Sequence, residues 1–333
     1  MTKTMRVLQT MRALQISDVT PADQAQLVNV ALPQTKPGWA LVRVRGIGMN
    51  HSEWELRHDE ILEDYIAKPI IPGIEGVGEV VDPSDTGLSV GQRVCMLMGG
   101  MGRMWDGSYA EYCLVRADHL FSIPEEAAGL PWATLAAIPE TFFTAWGSLF
   151  ECLRLEAKDT LLVRGASSGL GYAAIQIAHA LGARVLATTH RERYVELLEG
   201  FGADEVVLDD GSLADAGVRA TKVLELIGPR TVRDSLRCLE HGGICCDTGI
   251  LGGEFTLEGF DPIKEIPNGC YLTGFFSNYP TQETMDEIFR FVASEALEPF
   301  VAQVFDFDHL VDALALQDEG GFQGKLVIVN EAP

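Results

Sequence analysis

Residues 160–174, Thr-Leu-Leu-Val-Arg-Gly-Ala-Ser-Ser-Gly-Leu-Gly-Tyr-Ala-Ala, place an apolar run, a turn with three glycines and two serines in immediate succession. Chemistry suited to that order is the binding of a diphosphate. Glycine removes the Cβ that would hold phosphate oxygens away from the backbone, and free amides at a helix start favour negative charge. Gly165, Ala166, Ser167, Ser168, Gly169, Leu170 and Gly171 are therefore the candidate cradle, with the serine hydroxyls as added donors. The spacing G-x-x-x-G-x-G differs from the G-x-G-x-x-G fingerprint, so the flanking elements have to carry the assignment.

Those elements fit. Thr160 to Arg164 reads as a buried strand; Ala174, Ile177, Ala178 and Leu181 share one helical face, Gly182 is placed to end the helix, and Ala183 to Thr189 reads as a second strand. Strand, glycine turn, helix and strand within about 30 residues form the parallel unit that binds dinucleotides. About 20 residues after the turn, NAD-binding chains carry a carboxylate for the ribose 2′-hydroxyl. Here the strand runs instead into Thr188-Thr189-His190-Arg191-Glu192-Arg193, whose hydroxyls and guanidinium groups suit a 2′-phosphate, so NADP(H) is the expected cofactor. Two observations pull the other way: Arg191 and Arg193 also fit the solvated start of a helix, and Asp209 after the third strand can oppose a phosphate.

The 333 residues suffice for two domains with separate cores. A formal charge of -23 disfavours nucleic acid or an anionic membrane surface as a partner. No apolar run approaches the roughly 20 residues of a membrane span, and residues 1–10 lack a signal-peptide apolar core. A cytoplasmic protein is expected. The seven cysteines, Cys95, Cys113, Cys152, Cys238, Cys245, Cys246 and Cys270, are scattered without a C-x-x-C pair and read as reduced residues. No histidine cluster suggests a metal.

Residues 1–10 read as a loose extension before a strand-like run, Met11 to Ile16. From there to about residue 125 the pattern is β-rich, with Val42 and Val44 alternating with Arg43 and Arg45 and with further strands expected from Arg93 and Tyr109. Helical apolar segments follow at Ala127 to Leu130, Trp132 to Ile138 and Phe142 to Leu149. Strands around Thr160, Arg184, Glu205, Lys222, Gly243 and Tyr271 then alternate with helical segments, the pattern of a doubly wound parallel sheet. The tail is helical in part from Phe305 to Ala315 and ends in a strand at Lys325 to Val329, resuming the β character of the first domain.

With Asn50 and Arg57, Pro72-Gly73-Ile74-Glu75-Gly76-Val77-Gly78, Gly91-Gln92-Arg93-Val94, Gly107-Ser108-Tyr109-Ala110-Glu111-Tyr112, Thr144-Ala145-Trp146 and Gly324-Lys325, the chain resembles the medium-chain dehydrogenase/reductase superfamily. Within it, the likeness is to the zinc-independent quinone oxidoreductase branch. The resemblance implies an α/β protein: a GroES-like β-rich catalytic domain, residues 1–134 and 301–333, and a Rossmann domain with its doubly wound parallel sheet, residues 135–300. It places the active site in their cleft and makes the protein a homodimer. The positions matching the zinc ligands of the family's alcohol dehydrogenases are Asn50, Ile74 and Glu140, which cannot build a tetrahedral site, so no metal is expected. That favours reduction of an electrophilic small molecule, a quinone or an α,β-unsaturated carbonyl.

By the same resemblance, Thr144 backs the nicotinamide, and Ile227, Thr248, Gly249, Ile250, Leu251, Phe275, Phe276 and Ser277 line its half of the cofactor at strand ends. Asn50 and Lys325 join the cofactor site. Trp54, Met104, Trp105, Phe142 and Tyr279 are the substrate candidates, since a planar quinone suits aromatic faces. Asn50 is the candidate donor to a developing oxyanion. Glu140 has two readings, a proton donor in the cleft or a helix-start carboxylate. Two other functions stay open: an NADPH-binding sensor or crystallin-like protein with little catalysis, and an alcohol dehydrogenase with an atypical metal site.

Overall fold

The computed structural model describes residues 9–331, so the expected loose extension falls largely outside the described residues; Thr10 already begins a strand. Two compact units divide the chain, one made of residues 1–140 and 278–333, the other of residues 141–277.

In the first unit the strands are β1 (Thr10–Leu14), β2 (Leu27–Ala31), β3 (Trp39–Gly48), β4 (Glu75–Asp82), β5 (Arg93–Leu97), β6 (Tyr112–Arg116), β7 (Leu120–Ser122), and, from the far end of the chain, β14 (Val301–Asp306) and β15 (Lys325–Val329). The helices are α1 (His51–His58), α2 (Trp132–Ala136), the start of α3 (Pro139–Trp146), α8 (Gln282–Ser294) and α9 (Leu310–Glu319). A seven-stranded sheet runs β14-β15-β3-β4-β5-β7 with β6 paired to β3, beside a β1-β2 hairpin. The long β3 holds the sheet together. Its alternate residues Val42 and Val44 are buried, and β4, β6 and β15 all pair with it. Gly78 of β4 lies so close under β3 that a Cβ there would overlap the carbonyl of Arg43. α8 shows the expected amphipathic spacing, burying Met285, Ile288, Phe289 and Val292 behind an N-cap in which Thr281 Oγ1 accepts from Thr284 N.

Two expectations need correction in this unit. The strand expected from Tyr109 starts at Tyr112, because residues 107–111 spend their backbone groups elsewhere: Tyr109 N donates to Pro72 O and Leu14 N donates to Tyr109 O. Residues 127–130 are turns, not helix. Pro124, Gly129 and Pro131 bracket them, and their bonds are of the short i to i+3 kind, such as Ala127 N to Pro124 O.

The second unit holds β8 (Thr160–Arg164), β9 (Arg184–Thr189), β10 (Glu205–Leu208), β11 (Ala220–Glu225), β12 (Leu239–Asp247) and β13 (Tyr271–Gly274), with α4 (Gly169–Leu181), α5 (Val195–Gly200), α6 (Val232–Arg237) and α7 (Pro262–Glu265). All six strands are parallel, in the order β10-β9-β8-β11-β12-β13. Counted within the unit that is 3-2-1-4-5-6, the dinucleotide-binding order whose direction reverses between β8 and β11. Leu162, Val223, Cys245 and Leu236 share the core on one face of this sheet. α4 begins where Ser168 Oγ accepts from Gly171 N and ends at Gly182 in the left-handed conformation, as its sequence predicts. α3 runs on into a π-helical segment, Gly147–Cys152.

Replacing Gly78 with Ala is expected to strain β3 against β4 and lower stability by about 1–3 kcal/mol, read from urea unfolding followed by circular dichroism.

Candidate functional site

The glycine turn lies where the strand order reverses, at the carboxyl ends of β8 and β11. Gly165 has φ +83, and a Cβ on Gly171 would overlap the backbone of Ala166, so the turn admits no larger residue at either place. The segments after β11 and β12 close over it. Leu251 N donates to Leu226 O, Gly252 N donates to Ile227 O, and the side chains of Ile227, Leu226 and Leu251 are the nearest to a Cβ built on Gly165. Gly249 packs equally tightly on Leu226. The fold thus gathers the turn, Ile227, Gly249, Ile250 and Leu251 into one constellation.

Two buried charges that sequence reasoning did not single out hold this end of the sheet. Arg164, wholly buried, donates to both carboxylate oxygens of Asp209 at 2.8 and 2.9 Å and to Asp234 at 2.9 Å. Burial opposes its charge, but Asp209, Glu225 and Asp234 outweigh that and raise its pKa. Glu225, equally buried, accepts from the amides of Ile227 and Gly228 and from the hydroxyls of Thr231 and Ser235. A charged residue set in an otherwise apolar strand was the available signal. Its partners lie too far along the chain to be read.

At the end of β9, Thr189, His190, Arg191 and Arg193 do come together. Arg191 N donates to Thr189 Oγ1, Arg191 Nε to His190 Nε2 at 2.9 Å, and both guanidinium groups donate to the Tyr194 hydroxyl. The nicotinamide candidates form another group. Ser148 Oγ donates to the carbonyl of Thr144 and lies 3.0 Å from Thr248 Oγ1, while Phe275 packs edge-on to Phe143 and over Gly147. Phe276 is 72% exposed and is not part of it. Asp247, just before Thr248, has one buried carboxylate oxygen without a partner. Burial, with the charge of Glu225, pushes its pKa up to about 7.

The first unit holds a second polar centre. Lys325 Nζ lies 2.7 Å from Asn50 Oδ1 and 2.5 Å from Glu75 Oε1, and Asn50 Nδ2 donates to Glu75 Oε1 at 2.8 Å. Glu75 Oε2 accepts from the amide of Glu140. Glu53 completes a capping box, accepting from Asn50 N and, at its other oxygen, from Ile74 N. Burial raises its pKa to about 7 against the opposing charge of Arg103. Glu53 was not singled out in the sequence, and Glu75 was read only as part of a glycine-rich landmark. Glu140 lies in the first turn of α3, half-buried.

Asn50, Ile74 and Glu140 do not make a zinc donor set. Ile74 has no donor atom, Asn50 already presents its oxygen to an ammonium group, and among the described residues no group of three His, Cys, Asp or Glu side chains is placed to hold a metal ion.

The substrate candidates have different surroundings. Trp54 stacks with His51 and with His58, ring centroids 5.1 and 4.2 Å away. Trp105 packs edge-on to Trp39, beside Met104 over Gly100, and Arg103 ties that loop to α1 through Ser52 and Glu60. Phe142 is only 2% exposed, whereas Tyr279 is 78% exposed.

Residues 36–125 match the family model described as alcohol dehydrogenase GroES-like domain, and residues 169–294 the one described as zinc-binding dehydrogenase. The chain is 30% identical to the quinone oxidoreductase of Pongo abelii, over 74% of this chain and 75% of that one. It is 28% identical to an alcohol dehydrogenase of Geobacillus stearothermophilus, over 91% and 95%. Among solved structures, that of AibC superposes with a TM-score of 0.86 at 24% identity, covering 100% of this chain and 99% of the other.

Arg164→Met should destabilise the protein by about 3–5 kcal/mol, because it takes from the half-buried Asp209 and Asp234 the cation they share and leaves Asp234 only the longer contact with Arg237 at 3.7 Å; urea unfolding at neutral pH measures it. The second test concerns Glu53. Its folded pKa lies above the ordinary carboxylate value, so the native state holds a proton the unfolded chain has lost, and stability falls as pH rises from about 4.5 to about 7. Glu53→Gln removes that slope. The stability difference between variant and parent should therefore shift in the variant's favour across that window and level off above it.

Proposed function

Since this chain belongs to the medium-chain dehydrogenase/reductase superfamily, in its quinone oxidoreductase-like branch, we propose that it is a zinc-independent, NADPH-dependent reductase of quinones or α,β-unsaturated carbonyls. The observation that carries this reading is the Lys325 ammonium on Asn50 and Glu75: a fixed cation stands among the positions that correspond to metal ligands. A second cation placed there would be repelled, and reduction of an already electrophilic double bond has no need of one. The superfamily uses nicotinamide cofactors, and the closely approached turn at Gly165 to Gly171 suits a diphosphate.

NADP(H) is favoured over NAD(H) by the balance of charge beyond β9. Asp209, the carboxylate that would oppose a 2′-phosphate, has both oxygens held by Arg164, while Arg191 and Arg193 stand beside Thr189 and His190 as cations.

When bound, the reduced cofactor supplies a hydride to the electrophilic carbon or quinone. The chain's own residues do the rest. Amides of the turn and the Ser167 side chain bind the diphosphate, while Ser168, whose hydroxyl donates to Gly165 O and accepts from Gly171 N, holds the turn in shape. Thr144 and the Thr248–Leu251 segment position the nicotinamide. Asn50, oriented by Lys325 and Glu75, turns its more loosely held N–H, 3.5 Å from Gly48 O, to the substrate oxygen as charge develops. Solvent or Glu140 returns the proton. On this reading the protein works as a cytoplasmic homodimer on small molecules, and its acidity keeps it from nucleic acid. Oxidation of an alcohol with a bound metal is the second reading, favoured by the 28% identical relative of that name.

Assaying NADPH and NADH oxidation against a panel of quinones and enones tests the first reading, and turnover no faster than the uncatalysed rate overturns it. Stoichiometric zinc in purified protein would select the second. The double replacement Arg191→Ala with Arg193→Ala should raise KM for NADPH about tenfold or more and leave that for NADH unchanged.

A further inference from the structure

Cys152 and Cys246 lie 94 positions apart in sequence, and the second unit places both at the carboxyl ends of β12 and β13. Cys152 ends the π-helical segment that follows α3, and its Sγ lies 3.6 Å from the carbonyl of Gly274, the last residue of β13. Gly274 pairs in register with Asp247, the neighbour of Cys246 on β12, and Thr273 pairs with Cys246 itself. Successive strand residues point to opposite faces. Cys245 accordingly enters the core cluster of the sheet, while Cys246 turns the other way, 3.3 Å from Thr248 Oγ1. Thr248 in turn meets Ser148, one π-helical turn before Cys152. Both thiols thus border the same small region, Cys152 beside the end of β13 and Cys246 beside the Ser148–Thr248 contact.

Their environments differ in a useful way. Cys246 is wholly buried, whereas Cys152 is half-buried on the wall of an open depression lined by Arg154, Lys158, Lys222 and Thr273. The other cysteines are placed differently: Cys95 and Cys113 are buried in the first unit, Cys238 and Cys245 in the second, and Cys270 donates to the carbonyl of Glu240.

We propose that Cys152 and Cys246 form a redox-active dithiol, closed to a disulfide by a hydroperoxide that enters from the depression. Cys152 Sγ attacks the distal peroxide oxygen and the O–O bond breaks, giving a sulfenic acid on Cys152 and releasing water or an alcohol. Cys246 Sγ then attacks the Cys152 sulfur and displaces the hydroxyl, which leaves as water with the Cys246 proton. The two thiols lose two electrons together, and the peroxide gains them. The new bond ties the π-helical segment to the carboxyl end of β12, on either side of the Ser148–Thr248 hydrogen bond that supports Thr144. Burial pushes the Cys246 thiol up to about 12, consistent with a group that stays protonated until its partner has been oxidised.

The experiment treats the full chain with hydrogen peroxide, blocks remaining thiols, and maps peptides by mass spectrometry without and with dithiothreitol. Expected is one cross-linked pair of peptides containing Cys152 and Cys246, a loss of two titratable thiols, and full recovery of both on reduction. In Cys246→Ser, Cys152 should instead accumulate as sulfenic and then sulfinic acid, which separates a missing resolving thiol from a misfolded variant. Cys152→Ser should leave Cys246 unmodified. Cross-linking that involves another cysteine, or conversion of Cys152 in the parent protein to sulfinic acid with Cys246 still a free thiol, overturns the proposal.

Discussion

The constraint on which the second unit depends is the lack of room at the carboxyl ends of β8, β11 and β12. Main chain passes over main chain at Gly171 and Gly249, at distances no side chain tolerates, and Gly165 beside them holds a positive φ. Such close approach would be loose if nothing clamped the strands from below. Arg164 and Glu225, adjacent in register on β8 and β11, do so from inside the sheet: one collects carboxylates from beyond β10 and from α6, the other collects amides and hydroxyls from the turn after β11. Each is costly to bury alone, and each is satisfied by several partners, which makes the arrangement rigid. A rigid ring of amides can present them to an anion without rearranging.

In the first unit, Lys325, Glu75 and Asn50 show a different economy. One ammonium, one carboxylate and one amide occupy a small buried volume, and the amide, with a donor at one end and an acceptor at the other, connects the two charges. Asn50 is thereby fixed in rotamer and in the sense of its amide. Glu53 fixes its backbone from the other side, and Gln317 Nε2 donates to its carbonyl. A residue held at four points is well suited to aim a single remaining hydrogen.

Much of this was legible in the sequence because it is local. The strand, turn and helix from Thr160 to Leu181 and its stop at Gly182 all rest on neighbours within a few positions. The family likeness rested on ordered motifs, and the comparisons agree with it. What escaped depends on contacts across long separations: Arg164 with Asp209 and Asp234, and Glu75 with Lys325. The surroundings of Trp54, a substrate candidate for its aromatic ring, also follow a local spacing: His51 and His58 stand three positions before and four after it, which stacks rings along a helix.

The position of β15 bears on how the molecule comes to be made. That strand lies inside its sheet, between β14 and β3, though it is the last strand described. During synthesis β3 emerges hundreds of residues earlier and must wait with one edge uncovered, and Lys325, at the start of β15, arrives later than the carboxylate it neutralises. The inserted second unit has all six of its strands in hand by then and can fold on the ribosome first. Completion of the first unit is thus a late, long-range closure, and a nascent chain stalled short of residue 325 would leave a sheet edge open to wrong partners.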